Sequence, residues 1–483
     1  MSLRKVAVKG FFWVAVERFG QQIFQFIVFI VLARLLEPES FGVIAIVLVV
    51  ISISQTLVDS GMGQALIREK VISDRDRSTV FWFNLFLSLI VYAALFFLSP
   101  FLAAFFESPE LKDLIRVVSI SIVFNAAAII QRSEFTQQLD FKKMTIAQVP
   151  AVILAGLIAI FAALNNYGVW SLVIQHMVLT FISSLILWVQ SPGKIVFEFH
   201  KSSFNRLFGF GYRLLISELI NTTYQNIYKV IIGKLYSASV LGYYTQAKKM
   251  QEMASMNFVG VIQKVTYPLL VKLSTDKERL LSGYKYVIKT TSFIIFPVIS
   301  LLLLFAEPMV LIVFGEKWVH SVPYLQVLCI LGFIYHLHSI NLNLLKVLGR
   351  SDLFLKLEII KKMNTTLAIA IGIQFGIWGL VWGQVVSSCI ALIINSYYTS
   401  KFLQYSIYHQ LRDVLMILIL CWPIVVIAFG SWHLFPISSV LGLSLALFSA
   451  GVTYLLFNYL NRSEILSLVI RSIKDFSLND GKV

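Results

Sequence analysis

The sequence predicts an all-α polytopic membrane protein. About fourteen transmembrane helices would form two parallel six-helix lobes around a central cleft, with one extra helix pair. Three observations predict this. Of 483 residues, 58% are hydrophobic and only 13% charged, with a mean hydropathy of +0.81. A soluble domain averages about 25% charged residues, so this chain cannot coat a globule with polar surface. Its apolar residues fall into runs long enough for a bilayer core, which takes about 20 residues per helix. Finally, the chain resembles itself at a shift of about 200 residues, a spacing that marks a duplicated unit. Soluble enzymes, disordered regulators and nucleic-acid-binding proteins are excluded on this composition, despite a net charge of +15.

Hydropathy runs place helices at 10–33, 41–62, 79–104, 114–131, 144–164, 168–190, 207–233, 240–270, 286–306, 321–345, 357–374, 376–398, 411–431 and 436–460. The basic start (Arg4, Lys5, Lys9) leads into the first run with no small-residue cleavage site, so it reads as a retained helix rather than a signal peptide. Cys329, Cys389 and Cys421 lie inside apolar runs without pairing or metal spacing, so no disulfide framework is expected. The runs at 207–233 and 240–270 carry many polar residues, and charge tests whether they count. With the N-terminus in the cytoplasm, the cytoplasmic segments collect 26 of the 40 Lys+Arg, among them Arg75, Arg77, Lys142, Lys143, Arg206, Lys285 and Arg412. The opposite face collects only Arg34, Lys112, Lys234 and Lys317. Dropping either polar run inverts half of this pattern, so both are retained and both termini are expected inside.

The repeat organises these helices. At a shift of 200, Gln21 meets Asn221, Phe24 meets Tyr224, Gln25 meets Gln225, Ala33 meets Gly233, Arg34 meets Lys234 and Gly42 meets Gly242. At a shift of 208, Tyr167-Gly168-Val169-Trp170 meets Phe375-Gly376-Ile377-Trp378. Six helices per unit is an even number, so both copies would run the same way through the membrane, an arrangement used by transporters that handle substrate between lobes. The expected division is 1–202 and 203–404 for the lobes, with 405–483 holding helices thirteen, fourteen and a cytoplasmic tail.

Ionisable groups inside spans cost about 2.5–3.5 kcal/mol each at the centre, so they face a cavity or a partner. In helix one, Glu17, Gln21 and Gln25 share one stripe with Arg18 beside it; in helix seven, Glu218, Asn221, Gln225 and Lys229 form another; in helix eight, Lys248 and Glu252 follow, with Lys249 adjacent. Helices one and seven are repeat equivalents. Arg18, Lys229, Lys248, Lys249, Gln21, Gln25, Asn221 and Gln225 are therefore the expected lining of a cationic cavity; Glu17, Glu218, Glu252 and Asp59 are candidates for ion coupling or pairing. The blander reading assigns Arg213, Lys264, Lys289, Lys361, Lys362 and Arg116 to snorkelling at span ends, and His176, His336 and His338 to interhelical hydrogen bonds. Asp59, one turn after Gln55, is at least as well explained by a turn near the span end. A cationic interior selects an anionic cargo, and a phosphate-bearing amphiphile fits best.

The residues also carry a resemblance. Phe12-Trp13 with Arg34-Leu35-Leu36-Glu37-Pro38-Glu39-Ser40-Phe41-Gly42 resembles the opening of polysaccharide-synthesis (Wzx-like) flippases of the multidrug/oligosaccharidyl-lipid/polysaccharide exporter superfamily. Gln138-Leu139-Asp140-Phe141-Lys142-Lys143, Phe314-Gly315-Glu316-Lys317-Trp318 with Pro323, and Gly349-Arg350 are similar to later motifs of that branch. The resemblance implies a flippase of the bacterial inner membrane that translocates undecaprenyl-pyrophosphate-linked oligosaccharide by alternating access, for O-antigen, capsule or exopolysaccharide synthesis. It also implies a lipid-linked oligosaccharide and membrane lipids as partners, with a polymerase and chain-length machinery nearby. No cofactor is expected. No GxxxxGK[ST] run is present, so the energy would come from an H+ or Na+ gradient, the membrane potential or the substrate gradient. Two other readings compete. Asp74-Arg75-Asp76 has the pattern of a metal–nucleotide-sugar site, which would suit a membrane polymerase or glycosyltransferase, but no soluble fold surrounds it. A drug or cation antiporter of the same superfamily would require unpaired carboxylates, where the spans instead hold an excess of cations.

Overall fold

The computed structural model describes residues 20–69, 72–191, 193, 195–434, 439–463 and 465–467. Among them there is no strand. In chain order the helices are α1 Gly20–Leu35, α2 Pro38–Asp59, α3 Met62–Arg68, α4 Asp74–Phe105, α5 Leu111–Val118, α6 Ile120–Ala127, α7 Ile129–Gln137, α8 Phe141–Leu164 and α9 Trp170–Gln190. They continue as α10 Lys201–Leu235, α11 Ala238–Leu273, α12 Lys277–Leu304, α13 Ala306–Phe314, α14 Val322–Val347, α15 Ser351–Gly372, α16 Gly376–Leu403, α17 Ile407–Ile419, α18 Trp422–Leu434 and α19 Val440–Leu460. Nine helical stretches among the described residues are long and apolar enough to cross a membrane, ten if the bent segment Leu111–Gln137 counts as one span. The apolar run expected at 114–131 is this bent segment, broken at Ser119 and Ala128. Helix α10 begins at Lys201, so Lys201 and Arg206, expected in a loop, extend a helix beyond its apolar part.

By packing, the chain falls into two compact units, Met1–Thr245 and Gln246–Val483. This grouping follows contact, whereas the lobes expected from the repeat follow symmetry; α10 belongs to the first unit because it lies along α2 and α3. Within that unit α8 presents Ala147, Ala151, Ala155, Ala159 and Ala163 as one buried row at a spacing of four. Small residues let helices approach where lipid supplies no hydrophobic drive, and α9 packs closely on α8. Large apolar side chains such as Phe97, Phe101 and Phe161 stay about 70% exposed, as lipid-facing residues must. In the second unit α17, α18 and α19 pack on α12, and Tyr454 Oη donates to the Phe293 carbonyl at 3.0 Å.

The backbone repeats where the sequence does. Helix α1 ends at Leu35 and α2 starts at Pro38; α10 ends at Leu235 and α11 starts at Ala238. Gly168 and Gly376, partners in the second sequence match, both have positive φ (54° and 71°). A further echo has little sequence identity. The α7–α8 turn holds Leu139 at φ 57° and Asp140 at φ −87°, ψ 63°; the α14–α15 turn holds Gly349 at φ 69° and Arg350 at φ −92°, ψ 64°. Both turns close with the same amide bonds, Asp140 to Phe135 and Arg350 to Leu345, each 2.8 Å. The copies also meet reciprocally at the starts of α2 and α11. A Cβ on Gly42 would lie 1.8 Å from the Ala238 carbonyl oxygen, and one on Gly242 would lie 2.1 Å from that of Pro38.

Candidate functional site

Helix α10 runs antiparallel to α2, and their contact is polar along its middle. Gly211 meets Gly61 at one end and Gly233 meets Ile46 near the other. Between them the Thr222 and Thr56 hydroxyls lie 3.3 Å apart, and Asn226 Nδ2 donates to Ser52 Oγ at 3.4 Å. Lys229 Nζ donates to Asn226 Oδ1 at 3.2 Å, which seats this half-buried ammonium at the seam. In α2, with mean hydropathy 2.5, Ser52 and Thr56 are a polar pair one turn apart on the face that meets α10. That i, i+4 spacing, matched by Thr222 and Asn226, was the available sequence signal for a seam that charge counting passed over.

The expected helix-seven stripe divides in the structure. Glu218 and Gln225 are exposed and Asn221 is half-buried, while Lys229 turns toward the adjoining Thr222–Asn226 row. Gln21 and Gln25 are half-buried on α1, and Glu17 and Arg18 lie outside the described residues. In the second unit Lys248 Nζ stands 3.9 Å from Glu252 Oε1 one turn on, and Lys249 is exposed. Asp59 accepts from Gln55 Nε2 at 2.9 Å at the end of α2, where Ser60 and Gly61 take positive φ.

Other polar groups of the spans find local partners. His176 lies 3.2 Å from Ser121 Oγ, His336 2.7 Å from Ser292 Oγ and His338 2.9 Å from Ser388 Oγ, all between helices. Lys289 and Lys361, read as snorkelling, are ion-paired instead, Lys289 with Asp413 at 3.5 Å and Lys361 with Glu358 at 2.5 Å. A carboxylate within reach offsets the burial that snorkelling would relieve. Arg116, also read as snorkelling, donates to Ser99 Oγ at 3.0 Å and stacks over Phe96. Arg213 bonds Tyr212 Oη at 3.1 Å; the side chain of Lys264 lies outside the described residues.

The Asp74-Arg75-Asp76 triplet serves the first turn of α4. Ser73 caps that turn by accepting from the Asp76 amide, Asp76 pairs with Arg206 of α10, and Asp74 pairs with Arg77. Arg77 also pairs with the buried Glu134 of α7, and Arg206 with Glu69. Asp76, Arg77 and Arg206 thus join α4 to its neighbours, and no group of three His, Cys, Asp or Glu among the described residues could hold a metal.

Comparison with known proteins agrees with this architecture. Residues 31–323 match the family described as polysaccharide biosynthesis protein. The chain is 26% identical to the lipopolysaccharide biosynthesis protein WzxC of Escherichia coli, covering 85% of this chain and 84% of that one. It is 24% identical to the teichuronic acid biosynthesis protein TuaB of Bacillus subtilis, covering 94% and 95%. Among solved structures, the lipid II flippase MurJ in an inward closed conformation superposes with a TM-score of 0.73 at 16% identity, over 93% of this chain and 99% of that one. An inward-facing multidrug transporter of the MATE family, of the MOP superfamily, gives 0.61 at 18% identity, over 80% and 96%. The chain therefore shares the fold of these two structures, and it belongs to the polysaccharide biosynthesis protein family.

Proposed function

We propose that the protein is a flippase, not an enzyme, that carries a lipid-linked oligosaccharide across the bacterial inner membrane for surface-polysaccharide synthesis. The observation that carries this reading is the set of lysines on polar faces of α10 and α11, in a chain of the polysaccharide biosynthesis family. Fourteen spans in a six-plus-six-plus-two plan, with both termini cytoplasmic, complete the proposal. The family membership supports a glycan-bearing cargo, and the fold shared with a lipid II flippase supports a cargo with a lipid tail.

In this mechanism Lys229, Lys248, Lys249 and Arg18 attract the pyrophosphate, since a low-dielectric setting strengthens charge-assisted bonds. Gln21, Gln25, Asn221 and Gln225 offer donors and acceptors to sugar hydroxyls. The lipid tail stays in the bilayer while the lobes alternate access to the two faces. Glu17, Glu218, Glu252 and Asp59 are the groups proposed to respond to H+ or Na+ if an ion drives the cycle. A polymerase and chain-length machinery would take the product.

The test is transport by the purified protein in liposomes, using a fluorescent lipid-linked oligosaccharide and a quencher in the external medium. Time-dependent loss of protection is expected with the wild type, and a much slower rate when Lys229 and Lys248 are both changed to Gln. Movement of cationic dyes without movement of the glycolipid would favour the antiporter reading. Sugar transfer by the purified protein would favour the polymerase reading.

A further inference from the structure

The second unit holds a cavity of about 520 Å³ that the proposed transport path does not use. It lies between the third and fourth turns of α12, helix α17 with the Tyr405 before it, and the residues that follow α19, and is lined by Lys285, Lys289, Tyr405, His409, Arg412 and Asp413. A water occupies about 30 Å³ in the liquid, so the space suits a polyatomic ligand. Among the described residues its charges do not balance. Asp413 is held on both oxygens, by Lys289 Nζ at 3.5 Å and by the Tyr405 hydroxyl, which donates at 2.7 Å. That leaves two cations. The Lys285 ammonium lies over the Tyr405 ring, 5.1 Å from its centroid, and Arg412 is exposed. Neither forms an ion pair with a carboxylate among the described residues. His409 anchors one ring nitrogen, Nδ1, on Ser406 Oγ at 2.8 Å, so its other nitrogen remains for the cavity. Asn461 and Ser463 add neutral polar groups to the wall.

We propose that this cavity binds a phosphate-bearing anion, seated on Lys285 and Arg412. An ammonium and a guanidinium lining one cavity, neither ion-paired among the described residues, offer charge-assisted and bidentate bonds suited to phosphate oxygens. The surroundings indicate where such an anion comes from. Helix α17 exposes Tyr408, Leu411, Leu415 and Ile419 beside Arg412, and Met416, which lines the cavity, is 63% exposed. In a multi-pass membrane protein this apolar strip faces acyl chains. The cavity therefore adjoins a surface where a phospholipid could place its phosphate inside and its chains outside. The lining residues of this site all belong to the second unit, and the site does not depend on the proposed cargo.

The test uses the full-length protein in detergent and reads the melting midpoint against added ligand: phosphatidylglycerol, phosphatidylcholine or inorganic phosphate. Phosphatidylglycerol is expected to raise the midpoint saturably, and phosphatidylcholine is not. Each basic contact near a membrane surface contributes about a fivefold gain, so the double variant Lys285→Gln/Arg412→Gln should need about twenty-five-fold more phosphatidylglycerol. Lys277→Gln, an exposed cation on the same helix outside the cavity, should leave the titration unchanged. Should the double variant fold poorly, Arg412→Gln alone is expected to show the fivefold loss. A saturable response to inorganic phosphate, weakened by the same variants and not reproduced by the lipid, would assign the site to free phosphate. No saturable response to either ligand, or an undiminished response in the variants, overturns the proposal.

Discussion

Gly42 and Gly242 offer the sharpest test of the packing, because each faces a backbone oxygen that has no rotamer with which to yield. Replacing Gly42 by Ala places a methyl 1.8 Å from the Ala238 oxygen, where at least 3.0 Å is required; Gly242→Ala must open its contact from 2.1 Å. The helix starts must therefore move apart by about an ångström, and overpacking of this kind costs about 1–3 kcal/mol. Against this, Ala in a helix gains about 0.5–1 kcal/mol over Gly. Since neither partner can turn aside, the clash should dominate, and a net loss of about 1–2 kcal/mol is expected for each variant. Gly209→Ala is the control, because nothing lies within 4 Å of its Cβ position and only the helical gain remains. The assay is the temperature at which half of the detergent-solubilised protein loses its monodisperse gel-filtration peak. Gly42→Ala and Gly242→Ala should lower it by several degrees, and Gly209→Ala should hold or raise it. The double variant should cost less than the sum, because opening the interface once relieves both contacts. A Gly42→Ala protein as stable as the wild type would refute the reciprocal contact.

Three further outcomes are expected. Lys229→Gln keeps a hydrogen-bonding group beside Asn226 but removes the charge; glycolipid transport should fall at least tenfold with membrane insertion unchanged, measured in the liposome assay. Glu134→Leu should cost about 3–5 kcal/mol, since it leaves the largely buried Arg77 guanidinium without its buried partner, whereas Arg77→Met combined with Glu134→Leu should recover much of the melting midpoint. Glu107 lies exposed in the α4–α5 turn, and the Lys234 ammonium 2.7 Å away holds its carboxyl below the usual range. Its small contribution is present above the ordinary carboxylate pKa and is lost as pH falls through the lowered value, so Glu107→Gln should lower the melting midpoint slightly at pH 7 and flatten its acid-side change.

Much of the fold was legible because a bilayer imposes simple rules. Long apolar runs must become helices that satisfy their own backbone. The repeat was legible where it depends on side chains, as at Gly42 and Gly242. It was not legible at Leu139 and Gly349, because the shared feature there is a left-handed backbone that one copy reaches with Leu and the other with Gly. Nor did composition reveal the alanine row of α8, since alanine is as ordinary in an apolar run as leucine. The break at Ser119 and Ala128 was hidden for a similar reason: hydropathy registers burial and is blind to direction. Intramembrane lysines were legible as exceptions, but not their partners. Asp413 lies in the sequence beside Arg412, which was read as a loop residue, yet it meets Lys289 of a helix more than a hundred residues away.

The seating of Lys229 bears on whether the intramembrane cations are sites or merely snorkelling side chains. Lys229 lies six residues before the end of α10, about 9 Å along the helix axis, which is close enough for a lysine to reach an interface. Snorkelling would carry its ammonium toward that end. Instead the nitrogen bonds Asn226, almost one turn in the other direction. This follows from helix geometry, since long side chains lean toward the N-terminus of their own helix. On α10 that lean points Lys229 away from the near end of its helix, toward the polar seam with α2. Lys248 differs, lying ten residues into α11, about 15 Å along the axis from its start. Its lean would favour the start of α11, yet the carboxylate near it is Glu252, on the turn farther from that start. Lys229 thus follows the ordinary lean of its side chain, and the same lean on Glu252 brings its carboxylate back toward Lys248. Liposome transport by Lys229→Gln and by Lys248→Gln separately therefore distinguishes a charge kept for cargo from one kept for packing.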